Sequence, residues 1–298
     1  MKYVLEALKK LTEKDHRILV AIEHGMSKHE YVPVKFISNF TGLSEEYVLE
    51  RLKYIRKFKL VKRTGVPYIG YVLTYKGYDF LALKALREQS TLKAISLKPL
   101  GIGKEADVYE GVTFSDERVA VKFHRIGRTS FRKTRKYRTY VGGRRHISWL
   151  YQSRLAATKE FEALVMAFPK GISCPRPISH NRHVVVTSVI DGVLLKEVPP
   201  LEDPEEIAYE ILENIKKLWK DVEIVHGDLS EYNIMITEDE KILIIDWPQW
   251  VSKYHPSAYM LLKRDVENIV KFFKRKYRVT LNGESFLEEV VKEENEKI

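Results

Sequence analysis

The stretch Val225-His226-Gly227-Asp228-Leu229-Ser230-Glu231-Tyr232-Asn233-Ile234, with Ile242-Leu243-Ile244-Ile245-Asp246-Trp247-Pro248 shortly after it, decides how the rest of the chain is read. Four residues separate Asp228 from Asn233, and an apolar strand of four residues runs into Asp246. A hydroxyl acceptor needs a carboxylate that orients it and takes its proton, and Asp228 fits that role. The Asn233 amide and the Asp246 carboxylate offer hard oxygen donors of the kind magnesium takes. Such an ion neutralises charge on a transferring phosphoryl group. Each piece alone is a turn or a strand end. Their joint occurrence carries the reading.

Upstream lies Gly101-Ile102-Gly103-Lys104-Glu105-Ala106-Asp107-Val108-Tyr109, then Val119-Ala120-Val121-Lys122. Glycines at a strand-to-strand turn let backbone close over phosphates with no Cβ in the way. The following strand ends in a lysine, which in kinases meets the α- and β-phosphates of ATP, and Asp-x4-Asn is the kinase catalytic-loop spacing. Gly101, Gly103, Lys104, Val108 and Lys122 are therefore assigned to the nucleotide. The helical stretch at 156–164 offers two acids to hold Lys122. Glu160 and Glu162 lie about 200° apart on a helix. Glu160 is chosen because Ala156, Ala163 and Leu164 share its side. Residues 184–192 read as a buried strand running into a turn, a hinge whose backbone near Ser188 and Ile190 would meet the adenine edge.

Residues 1–88 read differently. A short helix at 34–40, the turn Thr41-Gly42-Leu43-Ser44 and a helix with apolar Tyr47, Val48, Leu52, Ile55 and Phe58 make a helix-turn-helix pattern, with Ser44 as N-cap. Two β-like stretches at 60–63 and 68–73, joined by Thr64-Gly65-Val66-Pro67, form a wing, and a helix over 75–88 closes the unit. The presumed recognition helix and its end carry Arg51, Lys53, Arg56, Lys57 and Lys59, which could neutralise phosphates, behind Glu45, Glu46 and Glu50, which would repel them.

The net charge is +10, with +7 of it in residues 1–90. Residues 118–159 hold 13 basic residues and no acidic one. Such segregation points to a polyanionic partner. Arg128, Arg132, Lys133, Arg135, Lys136, Arg138, Arg144 and Arg145, interleaved with Tyr137 and Tyr140, suit RNA backbone and base stacking. The single cysteine, Cys174, rules out a disulfide framework within one chain and fits a reducing, cytoplasmic setting. No apolar run is long enough to span a bilayer, so no membrane partner is expected.

On the loop GIGKEADVY, the strand VAVK, the helix TKEF, the loop HGDLSEYN and the strand end IIDWPQ, the chain resembles the RIO family of atypical serine protein kinases, in its winged-helix-bearing branch and of archaeal type. Gly227 where ordinary kinases have Arg, Asp-Trp-Pro for Asp-Phe-Gly, and no Ala-Pro-Glu agree with that family. Only 52 residues follow Asp246, few for helices that dock peptide substrates. The resemblance implies an α+β chain: a winged helix over 1–88, then a compact bilobal kinase-like domain over 91–298, its lobes about 91–187 and 191–298. It implies catalysis by Asp228, Asp246 and Lys122, metal at Asn233 and Asp246, and ATP with magnesium (or manganese) as cofactors. It also implies autophosphorylation and a role in maturing the small ribosomal subunit by docking on the pre-subunit particle and its rRNA. The family is thought to work largely as an ATPase through a phosphoaspartate, here on Asp246, with Asp228 activating water. Two rivals stay open: a small-molecule phosphotransferase of the aminoglycoside- or choline-kinase type, and a non-catalytic RNA-binding scaffold.

Overall fold

Helix α1 (Lys2–Lys10) leads into α2 (Glu13–Gly25), whose start is fixed by a reciprocal cap. Thr12 Oγ1 accepts from the Asp15 N–H at 3.4 Å, while the Thr12 N–H donates to Asp15 Oδ2 at 2.8 Å. In this computed structural model, which describes residues 1–127 and 149–295, α3 (Val34–Thr41) and α4 (Glu45–Arg56) follow as the sequence pattern requires. Gly42 ends α3 at φ +71°, a left-handed cap that costs glycine nothing, and the Ser44 hydroxyl accepts from the Tyr47 N–H.

The wing is β2 (Val61–Thr64) against β3 (Gly70–Leu73), in register Val61↔Leu73 to Thr64↔Gly70. A third strand, β1 (Val32–Pro33), pairs with β3 on its other side. Two residues are too few for a periodic signal, so the sequence pattern does not reveal it. Helix α5 (Tyr75–Glu88) closes this part, capped by Thr74. Ile18, Ile22, Ile37, Leu52, Ile55 and Phe80 are fully or almost fully buried between these helices.

Arg51 corrects one expectation. Its spacing groups it with the outward cations of α4, but it turns onto the buried Asp15, with Nε to Oδ1 at 2.7 Å and Nη2 to Oδ2 at 2.8 Å. It is engaged in tying α4 to α2 rather than held out for phosphates.

Next come β4 (Ala94–Ile102), β5 (Ala106–Val112) and β6 (Arg118–His124), then, beyond residues 128–148, α6 (Trp149–Ala167), β7 (Pro177–Asn181) and β8 (Val184–Ser188). These strands form one sheet in the order β4-β5-β6-β8-β7. The basic and aromatic stretch expected to meet RNA runs from Arg125 to Arg145; Arg125 is buried, which takes it out of that role, and the part from residue 128 on lies outside the described residues. Strand β9 (Gly192–Leu194), helix α7 (Pro204–Lys217), β10 (Ile224–Val225), β11 (Ile234–Thr237), β12 (Ile242–Ile244), β13 (Val251–Ser252), α8 (Ala258–Tyr277) and α9 (Gly283–Asn295) complete the chain. Here β12-β11-β9 make one small sheet and β10-β13 another. The described residues divide into two compact units, 1–127 with 149–154 and 179–185, and 155–178 with 186–295.

Asp15 holds a cap and a cross-helix ion pair at once. The cap and Arg51 outweigh burial and keep its carboxyl below the usual range. Its stabilisation is therefore present above the unfolded value of about 3.9 and is lost as pH falls through the folded value. Asp15→Ala is expected to cost about 2–4 kcal/mol near neutrality. Urea denaturation at pH 7 and pH 3 checks this, with the deficit shrinking at the lower pH.

Candidate active site

In the first unit, β5 and β6 pair in unbroken register, with Val108 directly opposite Lys122. Strand alternation puts both on one half-exposed face, while Asp107, Tyr109, Val121 and Phe123 are buried on the other. The turn between β4 and β5 closes by the Gly103 N–H donating to Ala106 O at 2.8 Å. Gly101, Gly103 and Lys104 are exposed there. Among the described residues, a Cβ at Gly101 would meet nothing within 4 Å and one at Gly103 only the backbone of Ala106, at 3.3 Å, so no described side chain crowds either glycine. Phosphate oxygens fit such a cradle.

In the second unit, the loop from His226 to Asn233 is held both by bonds within its own motif and by groups from α8. Gly227 has φ +76°, and a Cβ on it would sit 2.8 Å from Gln249 O, so glycine is required on both counts. The Gly227 and Leu229 N–H groups donate to the two oxygens of one carboxylate, Asp265 on α8, at 2.7 and 3.0 Å. Arg264 donates to Gly227 O and Asn268 to Leu229 O. The buried His226 imidazole donates from Nε2 to Ile245 O at 3.1 Å and accepts the Asp228 N–H on Nδ1 at 3.3 Å. Its ring lies 4.7 Å from that of Trp247. One side chain thus ties the backbone of Asp228 to the residue preceding Asp246.

Asn233 and Asp246 emerge from neighbouring antiparallel strands. Ile234 pairs with Ile244, and the Ile245 N–H donates to Asn233 O at 2.9 Å. The Asn233 amide nitrogen donates to Asp228 O at 2.7 Å, which assigns Oδ1 as the oxygen left to serve as a ligand. Asp246 lies at φ +66°, a left-handed turn that a short polar residue tolerates, and Trp247 behind it is fully buried with its indole N–H on Ile244 O at 3.0 Å. An amide oxygen and a carboxylate are hard donors that leave most coordination positions to water or phosphates, which suits magnesium.

Of the two acids on α6, Glu160 is buried and Glu162 exposed. Next to Glu160, Lys159 and Trp250 form a reciprocal latch. Lys159 Nζ donates to Trp250 O at 2.8 Å, and the Trp250 indole N–H donates to Lys159 O at 2.7 Å. Helix α6 is therefore fixed to the segment just after Asp246. At the hinge, the Ser188 N–H is taken by Arg176 O at 2.9 Å, so an adenine edge would meet the carbonyl there and not the donor. Ile190 lines a groove of about 970 Å³ with Val193, Val198, Ile236 and Leu243.

Asp265, Arg264, Asn268 and the Lys159–Trp250 latch were not apparent from the sequence. Asp265 lies far along the chain from the loop it holds, in an ordinary amphipathic helix. At 1% exposure, burial pushes its carboxyl from 3.8 up to about 7, against the pull of its two N–H donors and Arg264. A folded value raised in this way gives stability that is complete below the unfolded value and lost as pH rises towards about 7. Asp265→Asn, which leaves an N–H without its acceptor, is expected to cost about 1–3 kcal/mol. That deficit should shrink between pH 4.5 and 7.5 in denaturation curves. A deficit that stays constant across this range would show that Asp265 is ionised throughout.

Two family matches cover the chain: the N-terminal domain of Rio2 at residues 8–89 and the RIO domain at residues 107–286. The RIO-type serine/threonine-protein kinase Rio2 of Methanocaldococcus jannaschii is 43% identical over 265 residues, covering 87% of this chain and 95% of that protein. The serine/threonine-protein kinase rio2 of Dictyostelium discoideum is 39% identical over 93% of this chain, which spans only 53% of that relative's length. Among solved structures, the Rio2 kinase of Chaetomium thermophilum, in an ADP/Mg2+–phosphoaspartate complex, aligns with a TM-score of 0.79 at 29% identity, over 98% of this chain and 99% of that one. With both domains matched in order and a relative 43% identical along nearly its whole length, the chain belongs to the RIO kinase family, in its Rio2 branch.

Proposed function

We propose that this protein transfers the γ-phosphoryl group of ATP, with magnesium, as an atypical serine/threonine kinase or as an ATPase. The observation that carries this reading is the fixed frame around Asp228, Asn233 and Asp246, in which His226 ties the backbone of the first to the residue before the last. Gly101, Gly103, Lys104, Val108 and Lys122 bind the phosphates and sugar-side edge of the nucleotide. Ser188 and Ile190 meet its base through the backbone, and Glu160 holds Lys122. Asn233 Oδ1 and the Asp246 carboxylate hold the metal, which when bound neutralises charge on the phosphoryl oxygens. In the kinase mode, Asp228 accepts the proton of a serine hydroxyl as its oxygen attacks the γ-phosphorus and the bond to ADP breaks. In the ATPase mode, an Asp246 carboxylate oxygen attacks the γ-phosphorus and ADP leaves. Water, giving its proton to Asp228, then releases inorganic phosphate and restores Asp246. The ADP/Mg2+–phosphoaspartate state of the Chaetomium relative favours the second mode.

The winged helix over 1–88 and the kinase-like domain over 91–298 act together at the pre-small-subunit ribosomal particle in the cytoplasm, docking on its rRNA through the basic N-terminal part and the basic stretch at 128–145. The protein also phosphorylates itself on serine. No helix among the described residues is long and apolar enough to cross a membrane.

ATP turnover is expected to fall by about 10²–10⁴ in Asp228→Ala and to vanish with the protein-bound label in Asp246→Ala. Label in the wild type should be released by hydroxylamine, as an acyl phosphate is. Label that is acid-stable and resists hydroxylamine assigns the serine kinase mode. Absence of turnover and label in the wild type, with ribosomal particles present, returns the scaffold reading. Affinity for rRNA should fall steeply with salt, by about 0.9 in the log–log slope for each duplex phosphate neutralised, and salt-independent binding would contradict the electrostatic docking.

A further inference from the structure

Arg125 belongs by sequence to the basic stretch at 118–159, yet it is only 6% exposed and faces inward. Its guanidinium forks onto Asp79 of α5, with Nη1 to Oδ1 at 2.6 Å and Nη2 to Oδ2 at 3.0 Å. Its Nε donates to Asp107 Oδ2 at 3.0 Å, and its own backbone N–H donates to Glu105 O at 2.6 Å. Tyr75 and Phe123 lie against the guanidinium, with ring centroids 5.2 and 5.1 Å from its carbon. The fully buried His183 donates from Nε2 to Asp79 at 2.7 Å and stacks on Tyr78.

Glu105 and Asp107 flank Ala106 at the turn that opens β5, and Gly103 closes that turn. Asp107 faces away from the side that carries Val108 and Lys122, so the network touches the turn from behind. Buried ion pairs of this kind contribute little net stability, because desolvation consumes most of their Coulombic gain, and an apolar core of similar volume serves as well. What a bidentate guanidinium does supply is direction: two carboxylates are held at fixed angles about one planar group, and the backbone N–H of the same residue holds the Glu105 carbonyl.

We propose that Arg125 is a positioning residue for the glycine-rich turn, and that Asp79, inside the winged-helix part, is its anchor, so that nucleotide affinity depends on the winged helix. The proposal rests on the reading that the turn at 101–108 binds ATP phosphates. Such coupling is reciprocal: whatever factor a ligand on the winged helix imposes on nucleotide affinity, nucleotide imposes on the affinity for that ligand.

The test compares Asp79→Asn and Arg125→Lys with Asp15→Asn, which weakens a buried ion pair of the same winged helix that does not touch the turn. Steady-state ATP turnover and calorimetric ADP binding are measured below each melting temperature, with amide hydrogen exchange over residues 103–108. Asp79→Asn and Arg125→Lys are expected to raise KM for ATP and Kd for ADP by about tenfold, in the range of coupling between contacting groups. Their kcat should be little changed, and exchange at 103–108 faster than in the wild type. Asp15→Asn should lose melting temperature and change none of these. Double substitution at Asp79 and Asp107 should be far from additive in Kd. Unchanged KM and unchanged exchange in Asp79→Asn and Arg125→Lys would overturn the proposal and leave the network purely structural. If the wild type binds no nucleotide, the phosphate-transfer reading falls, and the exchange comparison alone still decides whether Arg125 positions the turn.

Discussion

The second unit depends on one carboxylate accepting two consecutive-but-one backbone N–H groups. Gly227 and Leu229 both end on Asp265, and the residue between them, Asp228, is thereby presented outward. The constraint is geometric before it is energetic. Gly227 must be left-handed to aim its N–H inward, a Cβ there would collide with Gln249 O, and the helix carrying Asp265 must lie directly beneath the loop. Leu262, Val266 and Ile269, buried around Asp265 on that helix, fix its depth. Leu229, fully buried, completes the seat from the loop side. Strand alternation and the register Ile234↔Ile244 then bring the Asn233 and Asp246 ends into line.

Most of this architecture was legible because it is written in local backbone chemistry. Gly42 and Ser44 mark the helix-turn-helix, Thr74 precedes α5, and the alternation of Val119, Val121 and Phe123 marks β6; each acts within a few residues. Asp228, Asn233 and Asp246 were singled out on a different ground, since phosphoryl transfer calls for such groups at that spacing. What was not legible acts over long separations. Asp265 reaches Gly227 across 38 residues, and Lys159 reaches Trp250 across 91. No periodicity distinguishes such a residue from its neighbours on a helix. Arg51 and Arg125 show the same limit from the other side. Charge counting places both with solvated cations, while the fold turns each onto a buried aspartate.

The Lys159–Trp250 latch has a separate consequence. It is reciprocal, each residue's side chain donating to the other's backbone carbonyl, so it resists sliding of α6 along the segment that follows Asp246 in either direction. Glu160, buried, is the next residue on that helix. The buried face of this stretch is mostly alanine (Ala156, Ala157, Ala163 and Ala167, with Leu164), and the two hydrogen bonds add direction that such small side chains do not.

Both loops assigned to chemistry are therefore held from behind by a buried aspartate lying outside their motifs: Asp265 for the loop at 226–233, and Asp79, through Arg125, for the turn at 103–107. The two solutions differ in a way that follows from charge. The catalytic loop offers backbone donors, so a carboxylate meets it directly. The glycine-rich turn offers acceptors, the Glu105 carbonyl and the Asp107 carboxylate, so an aspartate can reach it only through a cation. Arginine is the cation whose planar fork can face both aspartates at once while its own backbone takes the carbonyl. In each case the buried aspartate stands outside the motif it supports, so a substitution at that aspartate acts on the position of the loop.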